Sequence, residues 1–294
     1  MLDRFTSLFQ DAPPSHVFEL SEAGIAYAPI SAPSEAQFRP VEAGVISVSP
    51  VRDNVQNVDV LAGHIKAIAP ANGNKRRPAA LIVPDYCARV AVLDFDAFPS
   101  NAEEQQALVR FRTKKSVPFD VDSAALSYYA QPRRGADGKI EVVVAVMALE
   151  IVSRYEAPFR AAGFQPGLVT TSALAALNLI APDEVSLLVK LSGRTLTVLV
   201  LDGRLLKLSR CVEMEQTERE EIEAVLHPTF AYVEDELNTQ ARRVLLCGFG
   251  ALGEQLGPLW ADEWGVAAET IRSRYGAPGE ANAGLLGFLE AARA

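Results

Sequence analysis

Cysteine, histidine and tryptophan are almost missing from this chain, at three, three and two residues in 294. The cysteines, Cys87, Cys211 and Cys247, lie far apart with no Cys-x-x-Cys or Cys/His spacing. Neither a disulfide framework nor a zinc site is expected, and the compartment reads as a reducing cytoplasm. His16, His64 and His227 are scattered, and no Gly-x-Ser-x-Gly occurs, so nothing supports a hydrolytic triad. A glycine-rich loop ending in Gly-Lys-Ser/Thr is absent, and with it the P-loop. No apolar run reaches the ~18–20 residues that cross a bilayer, and the opening MLDRFTSLFQDAPP lacks the apolar core of a signal peptide, so the chain reads as soluble. Positive charge is short as well. Lys and Arg number 28 against 37 Asp and Glu, a net −9 without a long block of either sign, so nucleic acid finds no landing surface.

Apolar residues are plentiful, at 49% of the chain. With ~100–200 residues per domain as the usual prior, the length predicts two domains. The clearest signal comes late. Runs at Leu187 to Leu191, Leu196 to Leu201 and Leu205 to Leu208 are separated by Ser192-Gly193-Arg194 and Asp202-Gly203-Arg204. Asp-Gly between such runs predicts an antiparallel meander with a type I′ turn, as if a second domain opened there.

Upstream, Val17 to Leu20, Gly24 to Pro29 and Gly44 to Val51 read as strands. Val55 to Ile68 has helical apolar spacing, and Ala79 to Pro84 is a short buried strand. A strand over Val90 to Phe98 precedes a helix capped by Asn101, with Glu103 and Glu104 in its first turn. Two strands follow, Ser123 to Gln131 and Lys139 to Leu149, then a helix from Glu150 to Ala162 ended by Gly163. This order predicts a small unit inserted at about residues 88–165. The first domain then spans 1–180, closing on a helix at Ser172 to Ile180, and the second spans 181–294. In the second, Thr217 to Leu237 is one long helix with a capping-box start, broken or kinked at Pro228. Arg243 to Cys247 is a strand, Leu252 to Trp260 a helix, and residues 279–294 a closing helix.

Most polar features have a plain reading. Leu2, Phe5, Leu8 and Phe9 share a helical face that docks on the body or lies on a membrane, although it lacks a positive flank. Lys75, Arg76 and Arg77 form a solvated tip or meet anionic lipid, and His64 reads as a surface or boundary residue. The acidic pairs Asp94/Asp96 and Asp120/Asp122 read as solvated faces. Gly248-x-Gly250, after a strand and before a helix, either lets backbone approach a nucleotide or lets helix and strand pack closely. No catalytic constellation is visible, so no enzyme activity is expected.

Several segments taken in order carry a family resemblance: AALIVP, LVRFRTKKSVPFDVDSAALSYYAQP, EVVVAVMALEIVSRYEAPFRAAGFQPGLVTTSALAALNL, LVKLSGRTLTVLVLDGRLLKLSR, RVLLCGFGALGEQLGPLW and NAGLLGFLE. Over roughly Leu81 to Glu290 the chain resembles the PilM family of type IV pilus assembly proteins, relatives of FtsA and of the cytoplasmic part of GspL. The step Ala161-Ala162-Gly163-Phe164-Gln165-Pro166 is its most specific element. The resemblance implies an α/β, actin-like fold of two domains with ribonuclease H-like sheets and a small subdomain inserted in the first. It also implies a scaffold beneath the inner membrane, in pilus or type II secretion machinery, that binds the cytoplasmic N-terminal peptide of a PilN-like protein and so links it to other inner-membrane or motor components.

The chain departs from the family in two respects. Where its two phosphate turns carry Asp and Gly, this chain has Glu19 with Ser21 and Lys190 with Ser192. About thirty residues separate the meander from RVLLC, too few for the extra subdomain usual there. The resemblance would place Gly193, Thr195, Gly248 and Gly250 about a degenerate nucleotide site, with neither ATP nor Mg²⁺ expected as a cofactor. Phe98, Tyr128 and Tyr129 become the candidates for holding the partner peptide, or else they pack the insertion. Two rival readings stay open: an ATP-binding protein of the same machinery whose site uses other residues, and a sugar kinase-like enzyme on the same fold.

Overall fold

The structure, a computed structural model, describes residues 13–70, 75–133 and 138–293. The predicted helical face of Leu2, Phe5, Leu8 and Phe9 lies outside them. Strands β1 (His16–Ser21), β2 (Gly24–Pro29) and β3 (Gln37–Pro40) form a meander, followed by helix α1 (Val58–Ile68) and strand β4 (Arg77–Val83), which runs parallel to β1. Asn57 caps α1 by accepting from the Val60 N–H, so the helix starts three residues after the predicted Val55.

The strand expected over Gly44 to Val51 is not formed. Only the bridge Ile46–Val55 survives, because Gly44 takes φ +83° and the Asn54 side chain takes the backbone bonds of Ser49. A local side-chain partner of this kind competes directly with ladder pairing.

An antiparallel three-stranded sheet follows, ordered β5-β7-β6 from β5 (Arg89–Phe95), β6 (Ala124–Ala130) and β7 (Ile140–Ala148). Helix α2 (Ala102–Thr113) lies over it, placing Val109 on Phe95, Val142 and Val144. Asn101 caps α2 as expected, accepting from the N–H groups of Glu103 and Glu104. Helix α3 (Leu149–Ala161) buries Ile151, Tyr155 and Phe159 in one cluster with Phe18 and Phe164 of the first sheet, joined by Met147 of β7. Gly163, at φ +84°, ends α3 and leads into β8 (Phe164–Thr171) and the short helix α4 (Ser172–Ala176).

The first sheet is ordered β3-β2-β1-β4-β8. Strand alternation divides its apolar residues between two faces. Phe18, Leu81 and Val83 pack under α1 and α3, whereas Val17, Ala80 and Ile82 face the other way.

The second sheet is built from β9 (Val185–Ser192), β10 (Thr195–Asp202) and β11 (Leu205–Glu213), then helix α5 (Arg219–Leu237), β12 (Arg243–Cys247), α6 (Gly250–Trp264) and β13 (Ala267–Thr270). Its order is β11-β10-β9-β12-β13, with β9 central. Both hairpin turns carry Gly at the first central position with positive φ, +54° at Gly193 and +59° at Gly203, while Arg194 and Arg204 do not. That is the type II′ pattern and not the expected I′, because the second central residue in each is a β-carbon-bearing arginine.

The start of α5 also differs from the capping box read in the sequence. Glu218 makes no side-chain cap bond, and the Glu221 carboxylate instead accepts from the N–H groups of Glu215 and Gln216 at 2.8 Å. Pro228 sits inside α5 without ending it; the Val225 carbonyl accepts from Thr229 and Arg210 nearby. The last helix, α7 (Ala283–Ala292), leaves the part of the chain to which residues 181–294 were assigned. It packs Leu285, Leu286 and Leu289 on the second face of the first sheet, against Val17, Ala80 and Ile82.

Candidate functional site

The turns β1–β2 and β9–β10 face each other across the junction of the two sheets, and the region between them is where the family resemblance would place a nucleotide. Strand alternation puts Leu187, Val189 and Leu191 on the far face of β9 and leaves Leu188 and Lys190 facing the first lobe. Cross-strand registry then aligns one row across this sheet: Cys247, Lys190, Thr197 and Cys211. Asp85, in the turn after β4, reaches into the row. Its Oδ2 accepts from the Lys190 ammonium at 3.0 Å and from the Thr197 hydroxyl at 3.2 Å, while Oδ1 accepts from the Ala173 N–H at 2.7 Å. Lys190 and Asp85 are both buried, with side chains 1% and 4% exposed. The neighbouring Glu19 carboxylate accepts from the Ser172 hydroxyl and, at 2.7 Å, from the Leu285 N–H in the first turn of α7.

Burial of a charge this deep is tolerated only when it is paired and hydrogen-bonded. For Lys190, desolvation alone would lower the pKa, but the charges of Asp85 and Glu19 and the bond to Asp85 carry it up to about 12. Burial pushes the Glu19 carboxyl up from its ordinary range, against the pull of Lys190, Ser172 and the Leu285 amide. Burial likewise drives the Cys211 and Cys247 thiols to about 12 and Cys87 well above its ordinary value, so none of the three is a thiolate at neutral pH. Chemically, the cluster is a fixed internal cation held between two lobes by carboxylates from the first.

Above the cluster a cavity of about 220 Å³ opens between the two turns, lined in part by Ser21, Glu22, Ser192, Gly193, Thr195 and Glu280. That is below the ~300–1,000 Å³ usual for small-molecule sites. Gly193 and Thr195, two of the expected nucleotide residues, do line it. The Gly193 N–H, however, donates to the Glu280 carboxylate at 3.2 Å, and the Ser192 hydroxyl donates to the Glu280 carbonyl at 2.7 Å. A phosphate oxygen would meet a carboxylate already in its place. The other two nucleotide candidates stand apart from the cavity lining. A β-carbon on Gly248, which has φ +77°, would fall 2.1 Å from the Leu191 carbonyl oxygen and 3.0 Å from the Glu280 α-carbon. Close packing of strand, turn and chain fills that space. A β-carbon on Gly250, which has φ +50°, would meet nothing within 4 Å, and the residue simply opens α6.

The three aromatic candidates separate. Phe98 and Tyr128 are half-buried beneath α2, their rings 6.1 Å apart, with the Tyr128 hydroxyl 3.0 Å from Gln105 Oε1. Tyr129 points to the other face of β6 and is 63% exposed. On that same face Ala125 and Ser127 border an apolar groove of about 280 Å³ whose far wall is Val169, Thr170 and Thr171 of β8. Both β6 and β8 are edge strands of their sheets.

Asp85, Glu280 and Thr197 were not singled out by the sequence. Asp85 follows the buried strand AALIVP, a position where an acid is out of keeping with the run before it, and that was the one available signal. Among the described residues no cluster of His, Cys, Asp and Glu could hold a metal ion, and no helix is long and apolar enough to cross a membrane.

No protein-family model matches the chain, and no curated protein does. Solved structures do. A PilM–PilN type IV pilus biogenesis complex superposes with a TM-score of 0.72 at 17% identity, over 96% of this chain and 99% of that one. A Bacteroides thetaiotaomicron protein of unknown function with an actin-like ATPase fold gives 0.52 at 12% identity, over 87% and 90%. The cytoplasmic domain of EpsL, an inner-membrane component of the Vibrio cholerae type II secretion system, gives 0.50 at 16% identity, over 95% and 94%. At these identities the likeness concerns shape, and by shape the chain has the two-domain actin-like fold.

Proposed function

We propose that the protein is a non-catalytic scaffold of type IV pilus or type II secretion machinery that holds an extended peptide from a PilN-like inner-membrane protein, and so sits at the inner membrane through its partner. The observation that carries this reading is the apolar groove between the free edges of β6 and β8. An extended segment gains main-chain bonds from a sheet edge and places alternate side chains in the pockets beside it. Small residues on the groove walls, Ala125, Ser127 and Ala145, leave room for such side chains. The likeness to a structure of PilM with PilN supports the choice of partner.

Titrating the full chain with a PilN-like N-terminal peptide tests the proposal. Ala145→Arg, which fills the groove, is expected to weaken binding more than about tenfold with the fold intact, and Tyr129→Ala about two- to tenfold. Phe98→Ala is expected to cost mainly stability, about 3–5 kcal/mol at full burial and less at a half-buried site. Unchanged peptide affinity in a folded Ala145→Arg variant would remove the groove from consideration.

The reading also assigns no nucleotide to the inter-lobe cavity. Lys190 stands where a metal ligand is expected, and although a lysine can hold phosphate as a point charge, it cannot hold Mg²⁺. Calorimetry with Mg-ATP is expected to give no saturable heat at micromolar concentrations. A dissociation constant in the low micromolar range would overturn this part of the proposal.

A further inference from the structure

The three-stranded sheet, whose chain connections both run to the first lobe through β4 and α3, also touches the second lobe at β11. β11 is an edge strand, and an edge presents N–H and C=O groups with no ladder partner. At Leu206 one side chain takes both. The buried amide of Gln131, directly after β6, accepts from the Leu206 N–H at 2.8 Å and donates to the Leu206 carbonyl at 2.8 Å. A side-chain amide carries the donor and acceptor of a peptide unit, so Gln131 adds one rung to the second sheet. The next residue leaves the ladder. Val200 faces Leu208 and Leu201 faces Leu206, which makes Lys207 the extra residue of a β-bulge. Bulges re-aim the side chain they carry. Here the Lys207 ammonium meets the Glu141 carboxylate of β7 at 2.6 and 2.8 Å, with the two side chains only 11% and 24% exposed. Val90, Val92 and Val143 complete the contact, packed on the cluster that contains Leu201 and Leu206.

This grip is separate from the junction cluster. Asp85 holds Lys190 on β9 and Thr197 on β10, whereas Gln131 and Glu141 hold β11. Neighbouring strands lie ~4.8 Å apart, so the points of attachment span roughly 10 Å across the second sheet. A single contact leaves two bodies free to turn about it. Contacts spread over three strands do not. A third tie runs along the chain itself: Glu280 is fixed on the β9–β10 turn by Ser192 and Gly193, and a few residues on, the Leu285 N–H donates to Glu19 of β1.

We infer that the three-stranded sheet is a clamp on the edge of the second sheet, closing the two lobes into one rigid body with no ligand between them. Opening the cleft has to break the Gln131 and Lys207 contacts together with the buried Asp85 contacts, so it costs nearly as much as unfolding. A body closed in this way passes a displacement at one face to another without a hinge to absorb it. The clamp residues lie outside the inter-lobe cavity, so a positive calorimetric result with Mg-ATP would leave this inference standing. They also lie outside the lining of the β6–β8 groove, and the clamp holds whether or not a peptide binds there.

Two native probes distinguish opening from unfolding. Cys247 shares the row of Lys190, is fully buried, and clusters with Ala173 and Ala176 of the first lobe, so either event exposes it. The chain's two tryptophans, Trp260 and Trp264, pack within the second lobe and respond to its unfolding alone. Dithiodipyridine labelling of the full chain, without nucleotide or peptide and with the labelled cysteine identified by mass spectrometry, measures how often Cys247 is exposed. In the parent, Cys247 is expected to label within about threefold of the rate that tryptophan-monitored unfolding allows, with the same steep urea dependence. Gln131→Ala with Lys207→Ala is expected to label Cys247 more than about tenfold faster than its own unfolding allows, with a shallow urea dependence. Lys207→Met, which keeps Gln131, is expected to show an excess of about threefold or more and serves if the double variant does not fold. A parent that labels faster than about threefold over its unfolding opens without unfolding, which overturns the inference. Folded clamp variants that label no faster than they unfold overturn it as well.

Discussion

Lys190→Met is expected to lower the stability of the chain by about 3–5 kcal/mol, the usual cost of removing one partner from a buried ion pair. The loss comes from what remains. Methionine fills nearly the same volume, so little packing is lost, but Asp85 keeps a buried charge with only the Thr197 hydroxyl and the Ala173 N–H to hold it. A second substitution separates charge from packing. Asp85→Asn in the Lys190→Met background removes the unpaired charge and leaves an amide oxygen to accept from Ala173. That double variant is expected to be more stable than Lys190→Met alone by about 1–3 kcal/mol. Urea denaturation of the parent and the two variants measures both quantities. A Lys190→Met protein within about 1 kcal/mol of the parent would mean that the pair is solvated or dispensable, against its burial.

Gly248→Ala is expected to cost about 2–5 kcal/mol, and Gly250→Ala only about 1 kcal/mol, although both glycines have positive φ. Backbone strain is common to the two. What differs is space: at Gly248 the added carbon would meet the Leu191 carbonyl oxygen at 2.1 Å, while at Gly250 it meets nothing. Backbone atoms in a central strand do not yield as a flexible side chain would, so the strain must spread into β9 and the Glu280 segment. Thermal denaturation of the two variants decides between the readings of Gly248-x-Gly250. Equal and small losses would reopen the idea that Gly248 is kept free for a ligand.

Much of the fold was legible because it rests on local rules. The meander at Val185–Ser192, Thr195–Asp202 and Leu205–Glu213 announces itself by apolar runs broken at Gly193 and Gly203. Asn101 followed by two glutamates marks the start of α2, and Gly163 marks the end of α3, since each residue supplies what a helix end requires. The errors arose where apolar composition was overruled, once by a local side-chain partner and otherwise by distant packing. Gly44 to Val51 has the composition of a strand, yet Asn54 captures its backbone. Helices α3 and α7 have apolar faces that suit any sheet, and nothing in their own residues says that both belong to the first one.

The sequence by itself also shows Glu19 and Ser21 at one turn and Lys190 and Ser192 at the other, where the family it resembles carries Asp and Gly. It could not say what those residues do instead. Only the tertiary structure brings Asp85, 105 residues before Lys190 in the chain, within 3.0 Å of its ammonium, and sets the Glu280 carboxylate on the Gly193 N–H. An ion pair of this kind leaves no periodicity in the sequence, because Asp85 sits in the turn after β4 and Lys190 in the second sheet, and they meet only when the two lobes close on each other. The same holds for the aromatic candidates. Strand alternation guaranteed that Tyr128 and Tyr129 face opposite ways, but which one faces the groove depended on where α2 came to rest, and that was decided by packing Val109 on Phe95, Val142 and Val144.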